Sequence, residues 1–327
     1  MLLAATLTAG FGGHAAELRI GIIGLDTSHV VAFTKLLNDP NTANHIPGGR
    51  VVAAYRSGSP DMPEKSFNRV EPYAAELSGT YGVKLCDSIE EVVSQVDAIM
   101  IENVDGRKHL EIARVVFPSG KPVFIDKPYA GTLAQGIEIL RLARTHNVPC
   151  FSASALRFAP AVQRLTPEQK QSARAAMTFS PCELEPHHPD LFWYGIHGVE
   201  MLYTILGEGC ETVSRMHAPN GDAVTGRWAD GRLGIFFGYR EAKADYGFKV
   251  VGANGVANED FKADYVPLVR EIITFFQTRR PPVSLEQSVE VLAFMEAADE
   301  SRRRNGAPVS IAETMRAAEG KLSATSP

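Results

Sequence analysis

Residues 18–33 read LRIGIIGLDTSHVVAF, an apolar β-type run that passes through a glycine straight into an amphipathic stretch. A strand that feeds a helix N-terminus presents unpaired N–H groups and a positive dipole potential, the arrangement that receives a pyrophosphate. In the dinucleotide fingerprint G-x-G-x-x-G the first glycine makes the tight turn, the second lets the phosphates approach the backbone, and the third admits close helix–strand contact. Gly24 occupies the first position, but Asp26 and His29 stand at the second and third. A carboxylate at Asp26 repels a pyrophosphate at close range unless its side chain turns inward to cap the helix. The stretch thus predicts a nucleotide crevice edged by Gly24, Asp26, Thr27 and Ser28 and weakened by an anion. For His29 a packed or solvated helix position is the plainer expectation.

Outward from this stretch the alternation continues. RVVAAY (50–55), DAIMIE (97–102), PVFID (122–126) and VPCFSAS (148–154) read as strands, separated by helical patterns at 88–95, 108–116 and 132–146. In the last of these Leu133, Ile137, Leu140 and Ala143 share one face, and Ser88 with Glu91 has the spacing of a capping box. Such alternation predicts parallel strands joined by helical crossovers, a doubly wound sheet of six strands complete by about Cys150. The grammar then changes to strands in succession at 174–180, 211–218, 222–228, 232–239 and 246–252, with Asn220-Gly221 and Asp230-Gly231 as turn signals. Helices are expected at 195–206 and 267–277, and a last one runs from Ser284, with Gln287 in capping-box spacing, to Asn305-Gly306. The predicted class is α/β: a Rossmann domain at 17–150 and an α+β domain with an open, mostly antiparallel sheet at 151–327.

Composition limits the function classes. At 327 residues, 45% hydrophobic and 22% charged, the chain has the apolar material for two packed cores and too little polar bias for disorder. A formal charge of −5 without long basic runs gives no support to nucleic-acid binding. Cysteines at 86, 150, 182 and 210 lack C-x-x-C spacing, which excludes a zinc ribbon. Residues 1–13 carry no charge and are followed by His14-Ala15-Ala16, so 1–16 reads as the end of a secretory signal peptide. The expectation is an exported, periplasmic or secreted protein; the alternative is an apolar arm on a cytoplasmic one. The stretch is too short for a membrane span.

Two further positions bear on chemistry. No acid ends the second strand to accept a ribose hydroxyl; Arg56 stands there instead and tilts a nicotinamide reading toward NADP, although a solvated loop arginine reads as well. PVFID delivers Asp126-Lys127-Pro128 to the carboxyl edge of the sheet, where open α/β folds bind ligands. A lysine held there can donate to or accept from a substrate oxygen.

With RIGIIGLDTSH (19–29), SGKPVFIDKPYAGT (119–132), ALRFAP (155–160, read as a strand), GIHGVEMLYTILG (195–207) and RRPPVSLEQSVEVLAFMEAADES (279–301) taken together, the chain resembles the glucose-fructose oxidoreductase / inositol dehydrogenase / MocA (Gfo/Idh/MocA) family, as a divergent member. The resemblance implies NAD or NADP as cofactor, commonly a sugar or cyclitol substrate, and a homo-oligomer. It places the family's catalytic or cofactor-orienting lysine on Lys127. The family's Asp-x-Gly-x-His motif puts its glycine and histidine on Gly195 and His197, but its acid falls on Trp193. An aromatic there stacks on a sugar face yet shares no proton with His197, so the usual relay is incomplete. Lys127 and His197 are the expected catalytic pair. Gly24, Asp26, Thr27, Ser28, Arg56, Asn103, Asp126 and Lys127 are expected at the cofactor, and Arg157, His188 and Trp193 at the substrate.

The stretch EPHHPDLFWYGIHGVE (185–200) also clusters ligand types, and a metal held by His187, His197 and Glu200 is a second reading. The function expected first is an NAD(P)-dependent oxidoreductase acting on a sugar or polyol. The alternatives are a keto-glycoside lyase or hydrolase on the same fold, possibly metal-assisted, and a non-catalytic sugar-binding protein.

Overall fold

The computed structural model describes residues 17–241, 245–253 and 255–325; the expected leader at 1–16 lies outside them. The first domain is built from β1 (Leu18–Ile23), α1 (Ser28–Asn38), β2 (Gly49–Tyr55), α2 (Val70–Tyr81), β3 (Lys84–Cys86), α3 (Ile89–Gln95), β4 (Ala98–Ile101), α4 (His109–Val116), β5 (Val123–Ile125), α5 (Leu133–Thr145) and β6 (Cys150–Ser152). Its strands are parallel and ordered β3-β2-β1-β4-β5-β6. Ile20, Ile22 and Ile23 of β1 and all of β4 have no exposed surface, as continuous apolar runs in a sheet covered on both faces require. The order reverses between β1 and β4, so the switch-point crevice opens above the first residues past β1, β4 and β5.

The helix starts have local causes. Ser88 Oγ accepts from Glu91 N at 3.1 Å at the head of α3, while Glu91 reaches back to Asp87 N rather than to Ser88. Thr132 caps α5 through Gln135 N.

The second domain follows with α6 (Pro160–Gln163), α7 (Pro167–Gln171), β7 (Ala173–Pro181), α8 (Asp190–Trp193), α9 (Ile196–Leu206), β8 (Cys210–Ala218), β9 (Gly221–Trp228), β10 (Leu233–Tyr239), β11 (Tyr246–Gly252), β12 (Gly255–Phe261), α10 (Val266–Thr278), α11 (Leu285–Arg303), β13 (Val309–Ser310) and α12 (Ile311–Thr325). The sheet order is β12-β11-β7-β10-β9-β8-β13. Every neighbour pair is antiparallel except β7 with β10, which run parallel. A parallel pair needs a crossover element. Here α9 lies on the sheet so closely that a Cβ at Gly198 would sit 2.3 Å from the Phe236 ring.

The structure adds α2, β3, the short helices α6–α8 and β13 to the elements expected from sequence, and differs from that expectation in four further respects. ALRFAP begins as a 3-10 turn, because Ser154 Oγ accepts from Leu156 N at 3.2 Å and closes the backbone. The strand β12 was not foreseen; its apolar and polar positions alternate weakly and it forms an edge. Asn305 and Gly306, at φ 56° and 87°, do end α11, but α12 comes after it. Finally, α10 packs on the first domain: Leu268, Val269, Ile272 and Phe275 share one core with Phe33, Val51, Phe124 and Phe151. The four cysteines are buried and free.

Candidate active site

The first turn answers the question raised by Asp26. Gly24 adopts φ +93°, and a Cβ there would collide with Asn103 at 2.4–2.6 Å, so the tight-turn glycine is required by geometry. Asp26 is fully buried and turned away from the crevice. Its Oδ2 accepts from Ser66 Oγ at 2.6 Å and its Oδ1 from Val104 N at 3.0 Å. It does not cap α1, as the sequence reading allowed; Thr27 does, accepting from His29 N at 3.4 Å. Burial raises the Asp26 carboxyl to about 6 in spite of both hydrogen bonds.

The partner of Asp26 belongs to a segment that sequence reasoning passed over. Residues 57–69 form a strap across the carboxyl edge of the sheet. Ser57 Oγ accepts from Asn103 Nδ2 at 3.2 Å, Ser59 donates to Asp105 at 2.5 Å, and Asp61 pairs with Arg107 at 2.9 and 3.0 Å. Met62 packs with Val104 and Trp193, and Lys65 reaches Glu183 at 2.6 Å and Glu185 at 3.1 Å in the second domain. Pro60 and Pro63 with no apolar period between them were the only signal for it.

Between the domains lies a cavity of about 330 Å³. One wall is the start of α1, with Thr27, Ser28 and His29; Lys65 and Arg69 from the strap and Lys127 from the β5 edge add positive charge. Glu183, also in the lining, pairs with Lys65, so the helix N-terminus with Arg69 and Lys127 beside it is the part that suits an anionic group. Trp193, Tyr194, His197, Tyr246 and Tyr265 also line it and supply an aromatic surface suited to a nicotinamide or a pyranose face. Burial pushes the Tyr265 phenol up to about 12.

The expected catalytic pair meets in this cavity. Lys127 is 7% exposed, its ammonium stands 5.7 Å over the Tyr194 ring, and no carboxylate pairs with it among the described residues. His197, in the first turn of α9, is fixed by a 2.6 Å contact between Nδ1 and Ser154 Oγ. Burial, and then the charges of Lys127 and His29, hold its pKa well below the usual imidazole range, so it is neutral at physiological pH. His29 is not an idle helix position: its Nδ1 meets Asp126 Oδ2 at 2.7 Å and its ring stacks on Phe33 and meets Tyr265 edge-on. Asp126 is thereby taken up by His29, and although burial raises it, His29 and Lys127 hold its carboxyl below the usual range.

Several expected site residues stand elsewhere. Arg56 pairs with Glu71 at 3.2 Å on the surface and does not line the cavity. Asn103 packs behind Gly24, its side chain on Ser57. Arg157 is buried behind the cavity, donating to Gln287 at 2.6 Å and lying 3.9 Å from Glu200. His188 is likewise not a lining residue; it stands 3.1 Å from Asp105, which several such contacts hold below the usual carboxylate range against burial. Trp193 alone of the expected substrate residues lines the cavity, with Lys65 over its ring at 5.3 Å. The metal reading of His187, His197 and Glu200 fails on geometry: His187 pairs with Glu185 at 2.7 Å on the surface, and His197 and Glu200 are each taken by Ser154. Unforeseen lining residues include Ser154, Lys65, Arg69, Glu183 and the three tyrosines, drawn from separated segments that no local spacing connects.

No curated protein matches the chain in sequence. Among solved structures it is similar to a probable dehydrogenase from Thermotoga maritima, with a TM-score of 0.72, 19% identity and coverage of 91% of this chain and 100% of that one. It is also similar to apo scyllo-inositol dehydrogenase from Lactobacillus casei (TM-score 0.73, 14% identity, 90% and 98% covered). A third is myo-inositol dehydrogenase from the same organism in complex with NAD(H) and myo-inositol (TM-score 0.71, 15% identity, 90% and 96% covered). At these identities the likeness is one of fold. Residues 18–154 match the family described as GFO/IDH/MocA, "Oxidoreductase family, NAD-binding Rossmann fold". That match spans the first domain, where the chain is similar to the NAD-binding Rossmann fold of the Gfo/Idh/MocA oxidoreductases.

Proposed function

We propose that this protein is an NAD(P)-dependent oxidoreductase that interconverts a secondary alcohol and a ketone on a sugar or polyol. The observation that carries the reading is Lys127: an ammonium without a carboxylate partner, set at the switch-point edge of the sheet, inside a cavity shared with His197 and the N-terminus of α1. The inward turn of Asp26 supports it further, since the expected repulsion of a pyrophosphate is removed from the crevice. Gly24, Thr27, Ser28, Lys65 and Arg69 are the residues that would hold the dinucleotide.

When bound, the nicotinamide supplies or accepts hydride at its C4. Lys127 moves the proton of the reacting hydroxyl. His197, neutral and anchored through Nδ1, keeps its other ring nitrogen for a substrate hydroxyl and orients it. Trp193, in place of the family's acid, covers one face of the sugar and excludes water. Arg56, exposed beside Glu71 at the end of the second strand, would favour NADP by holding a 2′-phosphate. A homo-oligomer through the open face of the second sheet fits the exposure of Met216, Leu233, Phe237, Val251 and Val256. Among the described residues no helix is long and apolar enough to cross a membrane.

The test is to follow reduced-nicotinamide absorbance with NAD⁺ and NADP⁺ against a panel of cyclitols and pyranosides, for the wild type and Lys127→Ala. Turnover by the wild type that collapses in the variant is expected. Turnover unchanged in the variant, or none with any polyol or ketose in either direction, overturns the reading.

A further inference from the structure

Beneath the cavity, at the edge of the parallel sheet, stands a group of side chains that this hydride chemistry leaves unused. His29 comes from the first turn of α1, Glu102 is the first residue past β4, and Asp126 the first past β5. One ligand atom from each lies within 4.8 Å of the other two. A single point then lies at most about 2.8 Å (4.8/√3) from all three, within a small side-chain adjustment of the ~2.0–2.2 Å bonds that imidazole nitrogen and carboxylate oxygen make to a divalent ion.

A second observation is independent of that spacing. Glu102 has no exposed surface, and neither of its carboxylate oxygens has a hydrogen-bond partner; Asp126 Oδ1, also buried, has none. Asp26 nearby is satisfied by Ser66 and Val104 and stays outside the set. A buried carboxylate with both oxygens orphaned is costly. A proton on Glu102 removes the charge and still leaves its second oxygen bare. A cation satisfies Glu102 and Asp126 Oδ1 together. Burial, and then the charges of Asp126 and Asp26, push the Glu102 carboxyl well up.

We propose that His29, Glu102 and Asp126 bind one first-row divalent metal ion of the Mn²⁺, Fe²⁺ or Zn²⁺ class. One imidazole and two carboxylates match those ions better than Ca²⁺, which takes six to eight oxygens. His29 and Lys127 line the cavity, so the ion is reached from there and its open positions face a substrate hydroxyl or carbonyl oxygen. The site does not depend on the dinucleotide reading.

The experiment uses tag-free full-length protein stripped with a chelator and titrated with Mn²⁺ and with Zn²⁺, no dinucleotide present. Bound metal is counted by elemental analysis and the thermal midpoint is followed in parallel. One equivalent of ion, a raised midpoint, and at least tenfold weaker binding in both Glu102→Gln and His29→Ala are expected. Glu102→Gln without metal should melt at or above the wild type, which shows that lost binding is not lost folding. No binding at millimolar ion, or binding unchanged in both variants, overturns the proposal. A separate NADH titration of the stripped protein distinguishes this failure from that of the oxidoreductase reading.

Discussion

Two buried ionic clusters in this chain share their ingredients and differ in balance. In the second domain Arg215, fully buried, donates to Asp222 at 2.8 Å, to Asp190 at 2.9 Å and to Asp299. Arg240, Arg302 and His217 add further contacts to Asp222 and Asp190. Each carboxylate there meets a guanidinium, although burial still raises Asp299 to about 7. At the cleft, among the described residues, Glu102 is equally buried with no hydrogen-bond partner, Asp126 Oδ1 has none while Oδ2 meets His29, and Lys127 pairs with no carboxylate. A closed network ties β8, β9, α8 and α11 together; an open one is completed by something that enters. The count of partners, more than burial, separates a structural cluster from a site.

That contrast can be broken in several ways. The largest effect is expected at Lys127: Lys127→Ala should lower kcat by about 10²–10⁴-fold with little change in thermal midpoint, read by steady-state kinetics and a melt. In the closed cluster Arg215→Ala should cost about 3–5 kcal/mol in urea unfolding, because Asp299 is left buried without its guanidinium while Asp222 and Asp190 keep Arg240 and Arg302, and the folded fraction should keep its dinucleotide affinity. Asp26→Asn sharpens the comparison through pH. The folded carboxyl, at about 6, lies above its unfolded value of 3.8, so the wild type loses stability as pH rises between these values and then levels off. The variant, which cannot ionise, should therefore gain on the wild type from pH 4 to pH 7 by on the order of 1–3 kcal/mol, measured by urea unfolding at both ends. The smallest effect belongs to a site remote from both clusters. Ser88→Ala removes the cap of α3 and should cost about 1 kcal/mol with no change in kinetics.

Apart from β3, which is short and partly exposed, the sheet of the first domain was legible in sequence because its strands read as apolar runs, and because Ser88 and Thr132 mark helix starts. Lys127 and His197 were legible through motifs that place them at a sheet edge and in a helix's first turn. The strap at 57–69 was not, since its structure comes from polar contacts to Asn103, Asp105 and Arg107 that no local spacing encodes. The metal reading followed closeness in sequence at 185–200, whereas His29, Glu102 and Asp126 are brought together only by the order of the strands. Glu102 did carry a signal, an acid directly after the apolar run AIMI at the ligand-binding end of a strand.

The central claim is that the cleft receives a pyridine nucleotide beside Lys127. Its most direct test is titration of the full chain with NADH and NADPH by calorimetry, paired with tryptophan emission. Trp193 lines the cavity and Trp228 is sealed against Tyr203 and Phe294, so Trp193→Phe isolates the signal from the cleft. One equivalent of either nucleotide, bound with a dissociation constant below about 1 mM and quenching Trp193, is the predicted result. An absence of both heat and quenching at millimolar concentrations of either would contradict it.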